Sequence, residues 1–91
     1  MKKAIKIIIK GTVQGVFFRN FVKENADKLG IYGFVRNKEG NIVEVFAEGE
    51  INDVDKFYEI CKKGPRHAII KDTKLTETRF QDFKEFKILH I

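Results

Sequence analysis

The sequence predicts an α+β fold, a two-layer sandwich in which an antiparallel sheet carries two helices on one face, in the order β-α-β-β-α-β with a short further strand. Three observations predict it. Apolar and polar residues alternate with a period of two in several short stretches, two other stretches carry apolar residues at three- and four-residue steps, and glycines or a Gly-Pro pair stand where the period changes. With 91 residues, 43% of them apolar and nine of them Phe, the chain has material for one core, so residues 1–91 are expected to form a single domain.

Ile5, Ile7 and Ile9 alternate with Lys6, Ile8 and Lys10, so residues 4–10 form a half-buried strand. Phe18, Phe21, Val22, Ala26 and Leu29 then share one face of a helix that is expected to begin near Arg19 and to stop at Gly30. Residues 32–37 and 42–48 read as strands joined in an antiparallel hairpin by Lys38-Glu39-Gly40-Asn41, whose Gly and Asn tolerate the positive φ a tight turn needs. Asn52 is placed to cap a second helix, with Asp55 three residues on. Val54, Phe57, Tyr58 and Cys61 form its apolar face, and Gly64-Pro65 ends it. Residues 68–78 read as a long strand whose polar half, 71–78, suits a sheet edge. A turn at Gln81-Asp82 leads to the last strand within 83–89. This order is the split βαβ, or ferredoxin-like, pattern.

Lysine and arginine number 18 against 13 acidic residues, a net charge of +5 that favours anionic partners without naming one. The charges are interleaved along the chain, as on a solvated surface. Cys61 is the single cysteine, which excludes an internal disulfide and suits a reducing cytoplasm; at its helical position it belongs to the core. The apolar run at 5–9 is broken by Lys6 and followed by Lys10, too short for a membrane span or an export signal. The chain has no serine, so a Ser-His-Asp system is excluded, and neither a phosphate-binding Walker motif nor a metal-ligand cluster is present. His67 falls in the loop after the second helix and reads as a surface residue, while His90 stands at the extreme C-terminus.

The stretch that remains is residues 11–19, Gly-Thr-Val-Gln-Gly-Val-Phe-Phe-Arg, at the junction of the first strand and first helix. Gly11 and Gly15 allow backbone conformations that turn successive N–H groups inward around a small anion. No Ser, Thr, Asp or Asn stands immediately ahead of the helix to occupy its first donors. Those donors, the positive end of the helix dipole and the forked guanidinium of Arg19 all favour phosphate. A solvated arginine after an ordinary glycine turn is the plain alternative. Asn37, at the end of the second strand, reads on residue type alone as the opener of the hairpin turn, although that end can also approach the first strand's cradle.

Residues 11–19 resemble the acylphosphatase signature Gly-x-Val-Gln-Gly-Val-x-Phe-Arg at every fixed position, and residues 30–37, Gly-Ile-Tyr-Gly-Phe-Val-Arg-Asn, resemble its run Gly-x-x-Gly-x-Val-x-Asn. Asn41-Ile42-Val43-Glu44 and Gly64-Pro65 with Ala68 continue the similarity, which covers nearly the whole chain. Departures are Gly40-Asn41 where the family commonly has Asp-Gly, and Arg66 where it often has a second proline. The resemblance implies metal-independent hydrolysis of acyl phosphates without a cofactor. It implies phosphate binding by the backbone of Gln14, Gly15, Val16, Phe17, Phe18 and Arg19, with Arg19 and Asn37 catalytic and Asn37 holding the attacking water. A small acyl phosphate is then the expected partner, inorganic phosphate the product and an inhibitor, and the protein a cytoplasmic monomer with no nucleic acid and no membrane attached. Two other functions fit parts of the same pattern: a domain that binds phosphate without turnover, and an RNA-recognition-like module that binds single strands. Basic charge with Tyr32, Phe34 and Phe46 on strands favours the latter. Its signature belongs on a third strand, however, and here Glu44 and Glu48 flank Phe46 on that strand and would repel phosphates.

Overall fold

A computed structural model of the chain describes residues 1–13 and 15–90. Its elements are β1 (Lys2–Gly11), α1 (Val16–Leu29), β2 (Tyr32–Lys38), β3 (Ile42–Glu50), α2 (Ile51–Lys63), β4 (Ile70–Thr78) and β5 (Phe86–Leu89). The alternation in β1 orients the sheet. Ile5, Ile7 and Ile9 are fully buried and stand opposite Ala47, Val45 and Val43 of β3, so the apolar rows of the two strands coincide. Phe18, Val22 and Ala26 of α1 and Val54, Phe57 and Cys61 of α2 close over these rows, and Phe57 meets Phe86 of β5 edge to face at a centroid distance of 6.0 Å. The result is the expected ferredoxin-like sandwich with both helices on one face.

The sheet runs β4-β1-β3-β2-β5, with β4 at an edge as its polar sequence requires. It differs from the expected antiparallel sheet in being mixed, because β5 pairs with β2 in parallel. The reason is directional. β4 runs opposite to β1, and the strand that returns from β4 therefore has the direction of β1 and β2; docking at β2's free edge leaves it parallel to its neighbour.

To reach that edge the chain crosses the open face of the sheet, held by one buried carboxylate. Glu48 is 1% exposed and accepts hydrogen bonds from the backbone N–H groups of Gln81, at 2.7 Å, and Phe83, at 2.5 Å. Phe83 then packs against Phe34 and Phe46, with centroids 5.9 and 5.1 Å away. A carboxylate out of water is tolerated here because two donors meet it directly.

Element ends depart from expectation for local reasons. α1 begins at Val16, ahead of Arg19, because Gly15 takes φ 108° and turns the chain into the helix. α2 begins at Ile51 with Glu50 at its N-cap, so Asn52 lies inside the first turn and caps nothing. β3 keeps its pairing with β1 to Glu50, and the Ile51 N–H donates to the Met1 carbonyl at 2.9 Å, which carries the chain to the helix without a loop. β4 starts at Ile70, later than 68, because both backbone groups of Ile69 are engaged by Thr12. β5 starts at Phe86 after the crossover. The hairpin turn is as expected, with Gly40 and Asn41 at φ 80° and 59°.

Replacing Glu48 with Ala strands two backbone donors under the crossover and should cost about 2–4 kcal/mol. Glu48→Gln, which keeps one acceptor, should lose less. Urea midpoints of the two variants check this order, and midpoints equal to that of the wild type would show that the crossover does not depend on that carboxylate.

Candidate active site

The first residues of the site are placed where β1 leaves the sheet. At Gly11 the ladder with β4 shifts register, φ is 149°, and a Cβ would lie 2.0 Å from the Ile69 carbonyl oxygen, so only glycine fits. The Gly11 N–H donates to the Asn41 carbonyl at 3.2 Å, tying the end of β1 to the β2-β3 hairpin. Thr12 completes the anchor. Its N–H donates to the Ile69 carbonyl at 2.9 Å, and its Oγ1 accepts from the Ile69 N–H at 2.8 Å. Val13 is fully buried, and Gln14, expected in the phosphate cradle, lies outside the described residues.

Gly15, Val16, Phe17 and Phe18 form the start of α1. No side-chain hydrogen bond caps this end, and the Arg19 N–H, at 3.5 Å from the Gly15 carbonyl, makes the first bond of the helix. The N–H groups of Val16, Phe17 and Phe18 precede that bond and by helix geometry have no partner within α1. Phe18 is buried and pins the turn to the core, whereas Val16 and Phe17 face solvent.

Arg19 folds its side chain back over this turn. Its Nε donates to the Gly15 carbonyl at 3.4 Å, and its Nη1 donates to Nδ1 of His90 at 3.1 Å. Accepting that bond places the imidazole proton on Nε2. His90 belongs at this end of the molecule because β5 is parallel to β2, so both strands finish at the same end of the sheet. By sequence His90 stands only at the extreme C-terminus, and strand direction is the signal that locates it.

Asn37 is the last polar member of the group. It pairs with Val43, which pairs with Ile9, so the three form one row across the helix-covered face. Two strand spacings separate Asn37 from Ile9, roughly 10 Å, at the end of the sheet where β1 gives way to the turn before α1. Asn37 therefore both precedes the hairpin turn and lies on the same face as the start of α1. Its Oδ1 is buried with no hydrogen-bond partner among the described residues, an arrangement that few carboxamides tolerate unless a further donor meets them.

Other candidates fall outside this group. Cys61 is buried, and burial pushes its thiol well above its ordinary value. It has no nucleophilic character near neutrality. His67 is exposed in the loop after α2, as expected of a surface residue, and among the described residues no three His, Cys, Asp or Glu side chains converge as a metal ligand set would.

Fold and geometry together define a small ferredoxin-like domain whose uncapped helix start, arginine and partly buried carboxamide lie at one end of the sheet. The Acylphosphatase family model matches residues 5–88. The chain belongs to the acylphosphatase family. An acylphosphatase of Dehalococcoides mccartyi strain CBDB1 is 38% identical over 88 residues, spanning 94% of this chain and 97% of that one. The crystal structure of acylphosphatase from Bacillus subtilis superimposes with a TM-score of 0.90 at 38% identity, covering 98% of this chain and 99% of its own. An acylphosphatase structure from Coxiella burnetii gives the same TM-score at 31% identity, covering 97% and 93%.

The raised Cys61 thiol has a measurable consequence. Above the ordinary thiol value of 9.0 the unfolded chain releases a proton that the folded chain keeps, so stability falls as pH rises. The slope averages about −1 kcal/mol per pH unit between pH 9 and 10 and approaches about −1.4 above that. Urea unfolding of wild type and Cys61→Ala between pH 9 and 10 isolates it, since other groups contribute equally to both proteins. Parallel slopes would contradict a buried neutral thiol.

Proposed function

We propose that the protein hydrolyses the carboxyl–phosphate bond of acyl phosphates, releasing a carboxylate and inorganic phosphate, with neither metal nor cofactor in the step. The observation that carries this reading is the placement of Asn37, whose buried Oδ1 has no donor among the described residues, at the sheet end where α1 starts uncapped beside Arg19.

The chemistry divides among these groups. The phosphoryl oxygens take the N–H groups of the turn from Gln14 to Arg19 and the guanidinium. Arg19 has five N–H donors; the Gly15 carbonyl and His90 occupy two, and the other three have no partner among the described residues. The Asn37 carboxamide holds the attacking water and aims it at phosphorus in line with the departing carboxylate. Because a carboxylate leaves readily, no strong base is required, and a phosphoryl oxygen takes the water's proton. The protein's main contribution is fixed positive potential where the phosphoryl charge spreads, built from backbone dipoles and one cation. The net charge of +5 adds a general attraction for such anions.

The nucleic-acid alternative loses support at the open face. Phe46 is 4% exposed and packed between Phe34 and Phe83, so it offers no free ring for a base. Glu44, among Arg36, Lys6 and Lys38, compensates basic charge there. No helix among the described residues is long and apolar enough to cross a membrane. On the family resemblance, the reading extends to a cytoplasmic monomer acting on a dissolved small molecule.

Arg19→Ala should lower kcat/KM for a simple acyl phosphate by at least about 10²-fold, the scale for losing a principal charge-stabilising donor. Asn37→Ala should lower kcat while leaving phosphate affinity nearly intact. Turnover should persist in a chelator and be inhibited competitively by inorganic phosphate. Wild-type rates in either variant would overturn the assigned roles, and absence of turnover accompanied by salt-sensitive oligonucleotide binding would overturn the activity itself.

A further inference from the structure

We propose that His90 is a positioning residue for the hydrolysis: its neutral imidazole fixes the direction of the Arg19 guanidinium, and protonation of the ring releases it, so that turnover falls below neutral pH. This rests on the hydrolytic reading above. It adds a residue, and a pH dependence that Arg19 and Asn37 alone would not produce.

Strand pairing brings His90 to the site. β5 runs parallel to β2 with Val35 beside Ile88 and Arg36 beside Leu89, so continued register sets His90 next to Asn37. The alternation of β5, with Phe86 buried and Ile88 packed on the core, puts His90 in the row that faces α1. Arg19 reaches the same place from the start of α1, and its Nη1 donates to His90 Nδ1 at 3.1 Å. The guanidinium is thereby held by two elements, at Nε by the Gly15 carbonyl and at Nη1 by the imidazole. A planar fork fixed at two nitrogens keeps one orientation, and Nη2 is left without a partner among the described residues.

The bond exists in one protonation state only. Neutral imidazole has an acceptor nitrogen, whereas the protonated ring has two donors and a charge of the same sign as Arg19. Histidine is the side chain that changes charge between about pH 5 and 8, and His90 is exposed, so its ring exchanges protons with solvent. The other charges near it are engaged elsewhere. On α1, Lys23 is bound by Asp27 and by the Phe86 carbonyl, and on β5, Lys87 pairs with Glu85. On β2, Arg36 and Lys38 lie on the open face with Glu44. Residue 91 lies outside the described residues, and among those described the imidazole has Arg19 as its partner and no carboxylate.

The test follows hydrolysis of acetyl phosphate between about pH 5 and 8 in wild type, His90→Ala and His90→Asn, the last of which offers a carboxamide oxygen in place of Nδ1 and does not titrate. Wild-type kcat should fall about tenfold toward the acid end, with KM changing little because the charged ring adds to the attraction for the anion. His90→Ala should be about tenfold slower at the alkaline end, and His90→Asn should restore most of that loss and keep it as pH falls. Ionisation of the substrate is common to all three proteins. In an Arg19→Ala background, His90→Ala should cost nothing further. Independently of activity, the nitrogen-15 resonance of Arg19 Nε should move with the midpoint of the His90 ring in wild type and stay fixed in His90→Asn. An acid limb as steep in His90→Asn as in wild type, a full additive loss in the double variant, or an Arg19 resonance indifferent to His90 overturns the positioning role and leaves the hydrolytic activity standing. No turnover by wild type at any pH, with the Arg19 resonance still following His90, overturns the hydrolytic reading and upholds the brace.

Discussion

The functional end of the molecule depends on one close approach, that of Gly11 and Thr12 to Ile69. A side chain at Gly11 would collide with the Ile69 carbonyl, and Thr12 consumes both backbone groups of Ile69 that would otherwise extend the β1-β4 ladder. The strand is thereby ended and the chain lifted off the sheet within one residue. Everything beyond follows from that departure: the buried Val13, the left-handed side of φ space at Gly15, and a helix that begins with its N–H groups uncapped by any described side chain. A longer ladder would carry these donors into strand pairing. A looser exit would let them point to water, and a preorganised anion site would lose its main advantage, which is that its dipoles need not reorient on binding.

Stability and proposed chemistry sit at opposite ends of the sheet. Glu48, near the end of β3 and the start of β1, holds the crossover, and the ring cluster of Phe34, Phe46 and Phe83 fills the open face beneath it. Asn37, Gly11 and the start of α1 occupy the far end. The separation has a physical use. Each end contains a buried polar oxygen, but only Glu48 is matched by protein donors, while the Asn37 Oδ1 has none among the described residues. The two buried carboxylates, Glu44 and Glu48, both have partners on the open face, so the unmatched acceptor on the helix-covered face stands apart from them.

Most of the fold was legible because its signals are local. Alternation in β1, helical spacing from Phe18 to Leu29 and positive-φ residues in the hairpin each specify structure within a few positions. What escaped was decided by partners distant in sequence. The start of α2 depends on β3 remaining paired with β1 to its last residue, which overrides the capping preference of Asn52. The parallel pairing of β5 depends on which edge is free, and with it the place of His90 beside Arg19. Arg19 and the glycines were legible from the motif, and Asn37 was ambiguous because one residue type serves both turn and site. In the structure the two places coincide, since the residue ahead of the turn is also in register with the end of β1, so one position is compatible with both readings.

That coincidence bears on why a site of this kind can be made from so few side chains. The proposed phosphoryl transfer to water needs the attacking and leaving oxygens in line through phosphorus and donors around its equator, and an antiparallel hairpin beside a strand-to-helix exit offers the two in-line directions by pairing alone. β2 carries the carboxamide in on one side of β1, and β4, on the other, brings the 65–69 loop against Thr12. The third direction, toward the phosphoryl oxygens, is set by the axis of α1. Arg19 is braced at its Nε by the carbonyl of Gly15, the same residue that turns the chain into the helix. Backbone geometry therefore aims the guanidinium as well as the amides. A cation mounted on the cradle's own frame moves with it, so distances between charge and donors are conserved through small motions that would misalign a cation reaching in from another element.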